Sequence, residues 1–219
     1  MAKKNEVSVY ILLDRSGSMG GSKWETAIGS INSYVQTLRN EKVSAKVTVA
    51  AFDSEMVRGE ATIRTNAIIG GYSRSQLAFN LMREEVAIKN FKDLEMNELS
   101  PRGGTPLYDA TAKLLNLADK NNAEKTVVLI MTDGEENESK VYNLESIRDR
   151  IATCQNRGWE VIFLGQEFNV ETTARSFGLN ETKFLNADRG NINNNMRFYA
   201  SSTAAYASGQ AIDTTKANI

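Results

Sequence analysis

Three short segments of this chain carry oxygen donors at spacings suited to gripping a hard cation. Asp14-Arg15-Ser16-Gly17-Ser18 offers a carboxylate and two hydroxyls set two positions apart, with Gly17 letting the backbone curl between them. Thr105 stands in the phrase Ser100-Pro101-Arg102-Gly103-Gly104-Thr105-Pro106, and Thr132-Asp133-Gly134 supplies a second carboxylate. Hydroxyls on one side of a loop, joined by carboxylates from separate segments, make a small octahedral nest of the kind Mg²⁺ prefers, with waters completing the shell. Neutral Ser and Thr ligands leave such an ion with unquenched charge and an open position, which an outside carboxylate can fill.

The composition narrows the metal's character. The 219 residues include no His and a single Cys, Cys154. His triads, His bases and His ligands are therefore excluded, and one thiolate makes neither a structural zinc site nor an intrachain disulfide. Every donor is oxygen, so hard cations fit and soft ones do not. Lys and Arg number 26 against 27 Asp and Glu, so attraction to nucleic acid or to an anionic membrane is not built into the average surface. The chain shows no apolar run of about 18 residues, the least a membrane span needs, and its N-terminal segment has no small-residue cleavage site. A soluble cytoplasmic protein is expected.

These loops need a scaffold, and the hydrophobic patterning supplies one. Val7 to Leu13 is a nearly continuous apolar run ending at Asp14, the pattern of a strand buried on both faces. From Ser22 to about Arg39 the apolar residues Trp24, Ala27, Ile28, Ile31, Tyr34, Val35 and Leu38 recur at three and four, predicting an amphipathic helix with Ser22 as its N-cap. Ala45 to Phe52 reads as a second strand that delivers Asp53-Ser54, with Met56 to Ile63 as its antiparallel neighbour. Leu77, Leu81 and Met82 suit a short helix. Pro106 opens a helix from Leu107 to about Ala118.

Lys125 to Thr132 is the most hydrophobic strand and closes on Asp133. A helix over Leu144 to Gln155, a strand over Trp159 to Leu164, a helix over Val170 to Phe177 and a short strand over Lys183 to Leu185 follow. A last helix spans about 193–207. Alternation of this kind predicts an α/β fold with a mostly parallel sheet between helix layers, in a single domain over residues 1–219. In such sheets ligands sit outside the carboxyl ends of the strands, where the segments bearing Asp14, Ser16, Ser18, Thr105 and Asp133 converge.

Taken in order, Asp14-x-Ser16-x-Ser18 after the first strand, Thr105 in Arg-Gly-Gly-Thr-Pro before Leu-Tyr-Asp-Ala, and Thr132-Asp133-Gly134 after a later strand resemble the metal-ion-dependent adhesion site of von Willebrand factor A domains. The resemblance spans about residues 5–188 and is greatest to intracellular, bacterial and phage-type members, which show a phrase like SPRGGTPLYDA and a strand like WEVIFLG. It implies a Rossmann-like three-layer sandwich with one antiparallel edge strand and helices on both faces. It implies a Mg²⁺ ion, replaceable by Mn²⁺ or Ca²⁺, bound directly by Ser16, Ser18 and Thr105, with Asp14 and Asp133 acting directly or through waters. The implied function is a binding module rather than an enzyme, its metal completed by an Asp or Glu of a protein partner. The segment from Gly59 to Glu85 is longer than the family's pattern and reads as an insertion near the binding face.

Plainer readings compete with these. Asp14 and Ser16 alone would be a turn and a helix cap, but the other two segments in order outweigh that. The glycine-rich run Gly17 to Lys23 suggests a phosphate loop, which requires Gly-Lys followed by Ser or Thr; here Ser22 precedes Lys23 and Trp24 follows it. Asp53 and Asp109 read as turn and helix residues outside the metal shell. Glu135-Glu136-Asn137-Glu138 reads as a solvated acidic loop, Cys154 as a buried structural thiol beside Ile147 and Ile151, and the aromatic residues of the last helix as core.

A rival from another class is a Mg²⁺-dependent phosphohydrolase on a similar sheet. It needs an aspartyl nucleophile or a positioned base and a phosphate clamp, for which Arg15 and Arg102 are the candidates. Haloacid-dehalogenase-like phosphatases, however, carry a second carboxylate two residues after the first, where this chain has Ser16. A metal-free scaffold subunit is the third reading. Neither the partner nor the oligomeric state is written in the sequence.

Overall fold

A computed structural model describes residues 6–58, 63–64, 67–68, 73–121, 123–133, 135–165, 169–179, 184–186, 192–210 and 212. Among them the strands are β1 (Val7–Asp14), β2 (Ala45–Arg58), β3 (Ile63–Arg64), β4 (Ala67–Ile68), β5 (Ser73–Ala87), β6 (Lys125–Met131), β7 (Glu160–Gly165) and β8 (Phe184–Asn186). The helices are α1 (Ser22–Asn40), α2 (Leu107–Asn121), α3 (Leu144–Asn156), α4 (Asn169–Ser176) and α5 (Ile192–Ala207). The main sheet has the order β5-β2-β1-β6-β7-β8. All neighbours run parallel except β5, which pairs antiparallel with β2 at the edge. The expected α/β sandwich, mostly parallel with one antiparallel edge strand, is the architecture observed.

The apolar run of β1 follows from its central place. Side chains alternate across a strand, so Val7, Val9, Ile11 and Leu13 pack with Ile28, Ile31, Tyr34 and Leu38 of α1 and with Tyr199 of α5. Tyr10 and Leu12 turn to the other layer, against Leu114 and Leu115 of α2, Ile151 of α3 and Ala174 of α4. Each such side chain, fully withdrawn from water, contributes about 1.5–3 kcal/mol. The last helix is tied to the first by Tyr34 and Thr203, whose hydroxyls lie 2.8 Å apart in the core. Among the described residues, no helix is long and apolar enough to cross a membrane.

Three local expectations need correction. The second strand continues through Asp53 and Ser54 to Arg58, and its antiparallel neighbour is β5, with Phe52 opposite Phe79 and Met56 opposite Ser75, rather than residues 56–63. Leu77, Leu81 and Met82 belong to that strand and not to a helix. Leu77 and Phe79 pack on the α2 layer whereas Met82 and Val86 pack on the α1 layer. With the register shifting opposite Val47 to Ala50, neither face shows an unbroken period of two. Finally, Ser22 is the first helical residue; Gly21, at φ 70°, holds the cap position, and no side chain caps the helix.

Pairing of β1 with β2 ends at Asp14 opposite Phe52, while β2 and β5 stay paired from Asp53 opposite Ala78 out to Arg58 opposite Ser73. A two-stranded ribbon therefore extends beyond the carboxyl end of β1. Of the segment 59–85, residues 59–62, 65–66 and 69–72 lie outside the described residues; β3 and β4 pair as a hairpin, and Ser73 onward is β5.

Candidate metal centre

Asp14, the last residue of β1, is completely withdrawn from solvent. Its Oδ1 accepts the Ser16 amide at 2.7 Å and its Oδ2 accepts the Thr132 hydroxyl at 2.6 Å. These bonds fix the carboxylate and draw the turn after β1 toward the end of β6. Burial pushes the Asp14 carboxyl up to about 6 against the lowering effect of both bonds, and the neighbouring Asp133 adds to the rise.

From Asp14 the oxygens form a continuous chain. Ser16 Oγ lies 3.0 Å from Ser18 Oγ, and Ser18 Oγ donates to Asp133 Oδ1 at 2.9 Å. Ser16 is buried and Ser18 is exposed, so the chain runs from the interior to the surface. Lys23, in the first turn of α1, closes the far end with its ammonium on Asp133 Oδ2.

Thr105 joins this edge through its backbone. Gly17 N–H donates to Gly103 O at 3.0 Å and Arg102 N–H to Arg15 O at 2.8 Å, stitching the two loops together. Ser54 N–H donates to Gly104 O at 3.1 Å, and Gly104 N–H donates to Ser54 Oγ at 2.7 Å. Asn137 then brackets Thr105, its Oδ1 accepting the Thr105 amide at 2.8 Å and its own amide donating to the Thr105 carbonyl at 3.2 Å. The close approach of Gly103 to Ser54 requires glycine, since φ is 65° and a Cβ there would lie 2.0 Å from Ser54 O.

The two arginines are engaged beside the centre. Arg15 donates to Asp53 Oδ1 at 2.6 Å and to Asn80 Oδ1 at 3.1 Å, and Arg102 donates from Nε to Asp53 Oδ2 at 2.7 Å. Asp53 is thus a buried anchor between two loops, outside the oxygen chain as expected but not a turn residue. Asp109, at the start of α2, accepts the amides of Lys140, Val141 and Tyr142. The acidic loop is more than solvated charge: Glu136 accepts the amides of Tyr108, Glu138 and Ser139, and Asn137 holds Thr105. Cys154 is buried beside Ile147 and Ile151, and burial pushes its thiol pKa up.

Sequence reading missed Lys23, Thr132 and Asn137 as working parts. The signal for Lys23 was its place in the first turn after the Ser-rich loop, because helical side chains lean toward the N-terminus. Asn137 carried no local signal.

The donors suit a hard dication. Mg²⁺–O bonds of about 2.0–2.1 Å in an octahedron put adjacent ligands about 2.9 Å apart, which matches the Ser16–Ser18 and Ser18–Asp133 separations of 3.0 and 2.9 Å. Lys23 already seats a cation on Asp133, and the buried Asp14 carboxylate has no ion-pair partner of its own among the described residues.

A mostly parallel sheet with helices on both faces and oxygen-rich loops at its carboxyl edge defines a Rossmann-like α/β sandwich. The von Willebrand factor type A domain matches residues 8–197, and the chain belongs to that family. No curated protein matches it by sequence. Solved structures of similar fold include proximal thread matrix protein 1 from the mussel byssus, at 11% identity and TM-score 0.56 over 92% of this chain and 46% of that one. The pilus adhesin SpaC of Lactobacillus rhamnosus GG in an open conformation shows 12% identity and TM-score 0.60 over 92% of this chain and 30% of its own. An aspartate-to-alanine variant of the PilB minor pilin of Streptococcus sanguinis shows 11% identity and TM-score 0.58 over 95% and 64%. This chain therefore spans between 30% and 64% of the length of these three solved chains.

Proposed function

We propose that this von Willebrand factor A domain is a Mg²⁺-dependent protein-binding module, its metal held at an adhesion-type site by Ser16, Ser18 and Thr105 with Asp14 and Asp133. The observation that carries this reading is the chain Ser16 Oγ, Ser18 Oγ, Asp133 Oδ1, with steps of 3.0 and 2.9 Å, at the carboxyl edge of the sheet. When bound, the cation supplies Lewis acidity toward an Asp or Glu carboxylate of a protein partner. The chain's own residues hold and orient: Thr132 and the Ser16 amide lock Asp14, and Asn137 fixes the backbone of Thr105. Mn²⁺ or Ca²⁺ can replace Mg²⁺ at the same oxygen donors.

The module is not an enzyme on this reading. A phosphohydrolase would need its arginines free to clamp a phosphate, whereas Arg15 and Arg102 both bind Asp53. The balanced net charge of −1 argues against nucleic acid or anionic lipid as ligand. The bacterial or phage, intracellular type is carried over from the phrases SPRGGTPLYDA and WEVIFLG, and a cytoplasmic location is the expectation that accords with that type.

Affinity capture from native cell extract, run with Mg²⁺ and with chelator, tests the function. A protein retained only with Mg²⁺, released by chelator and lost with Ser16→Ala is the expected result. Retention indifferent to both metal and substitution contradicts it.

A further inference from the structure

Lys23 places a positive charge inside the oxygen cluster. Its ammonium pairs with Asp133 Oδ2, while Oδ1 is left to the Ser18 hydroxyl at 2.9 Å. The Lys23 side chain is 17% exposed and that of Asp133 2%, so water screens the pair only partly. The arginines beside the centre, Arg15 and Arg102, are both directed to Asp53 instead. Among the described residues, then, the carboxylates of Asp14 and Asp133 in this cluster are met by the Lys23 ammonium.

We propose that Lys23 tunes the centre in two opposite directions, loosening its hold on the divalent cation and strengthening the pull on the partner's carboxylate. The inference rests on the Mg²⁺ reading of the same site. Counted over these described side chains, a dication between two carboxylates sums to zero charge, and Lys23 adds a positive charge that an incoming anion meets. The same charge repels the metal. A single charge about 6 Å from a dication changes the metal's affinity about tenfold even with water's full screening and more where screening is partial, and added salt reduces the effect. Lys23 also competes directly, because the cation must share Asp133 with it or displace it. Lys23 is therefore a specificity-determining residue, favouring anionic partners over tight metal retention.

The test uses the full chain stripped of metal, at low ionic strength, in parent, Lys23→Met and Lys23→Arg forms, with Lys23→Gln as a second neutral variant in case Met disturbs packing. Mg²⁺ affinity is read by calorimetry. Acetate is then titrated onto the Mn²⁺-loaded protein and followed by the loss of water-proton relaxation. The neutral variants are expected to bind Mg²⁺ about tenfold more tightly and acetate more weakly, with Lys23→Arg close to the parent. Neutral variants that melt like the parent in chelator yet bind Mg²⁺ no more tightly overturn the role of Lys23 and leave the metal site standing. A parent chain that binds no Mg²⁺ overturns both.

Discussion

Gly17 and Gly103 meet across the carboxyl edge of the sheet, the amide of one donating to the carbonyl of the other at 3.0 Å. That single bond joins the loop carrying Ser16 and Ser18 to the loop carrying Thr105. Two loops far apart in sequence are thereby held together by the chain's own backbone, and a junction fixed in this way lowers the ordering cost of binding.

Gly103→Ala should disturb this junction. Its φ of 65° and the 2.0 Å approach of a Cβ to Ser54 O leave no room for a side chain without moving β2 or the loop. A loss of about 2 kcal/mol or more is expected in urea unfolding. An unchanged midpoint would show that the loop relaxes freely.

Asp53 anchors both loops through Arg15 and Arg102. Asp53→Asn strands the buried Arg15 guanidinium, and a cost of about 3 kcal/mol is expected. Glu55 also reaches Arg102, but the two side chains are 38% and 50% exposed, so Glu55→Gln should stay within about 0.5 kcal/mol. Equal effects in thermal melts would refute the division of labour.

Asn137→Ala removes the acceptor of the Thr105 amide without replacing a proposed ligand. Mg²⁺ affinity should fall several-fold while the melting temperature in chelator moves little, because Asn137 is exposed. Unaltered Mg²⁺ affinity would mean that Thr105 needs no such bracket.

The pH response has a readable element away from the centre. Arg83 donates to both oxygens of Glu98, at 2.8 and 2.9 Å, and holds its carboxyl below the ordinary value of 4.5. A lowered carboxyl contributes stability above its unfolded pKa and loses it as pH falls through the folded one. Glu98→Gln should therefore cost up to about 1 kcal/mol at neutral pH, the ceiling for a partly exposed pair, and nothing once the parent's Glu98 is protonated. A gap of constant size from neutral to acid pH would exclude the pair as its source.

Much of this was legible in the sequence, for identifiable reasons. The continuous apolar run of β1 and the 3.6-residue spacing of α1 report burial directly, and Asp14, Ser16 and Ser18 sit in one loop whose spacing is local. The strand β5 was not legible because its apolar residues serve the α2 layer at Leu77 and the α1 layer at Met82, imitating helical spacing. The anchors were hidden by distance along the chain. Asp53 meets Arg15 and Arg102 across separations of 38 and 49 residues, and Asn137 meets Thr105 across 32. Such pairings depend on the sheet order, which brings β2 and β6 to either side of β1.

The most direct measurement is a calorimetric titration of Mg²⁺ into the metal-stripped chain at neutral pH, beside the same titration of Ser16→Ala. Saturable binding to the parent at a single site, absent from the variant, is the predicted result. No saturable binding to the parent, or the same binding by both proteins, would contradict a metal centre built on Asp14, Ser16, Ser18, Thr105 and Asp133.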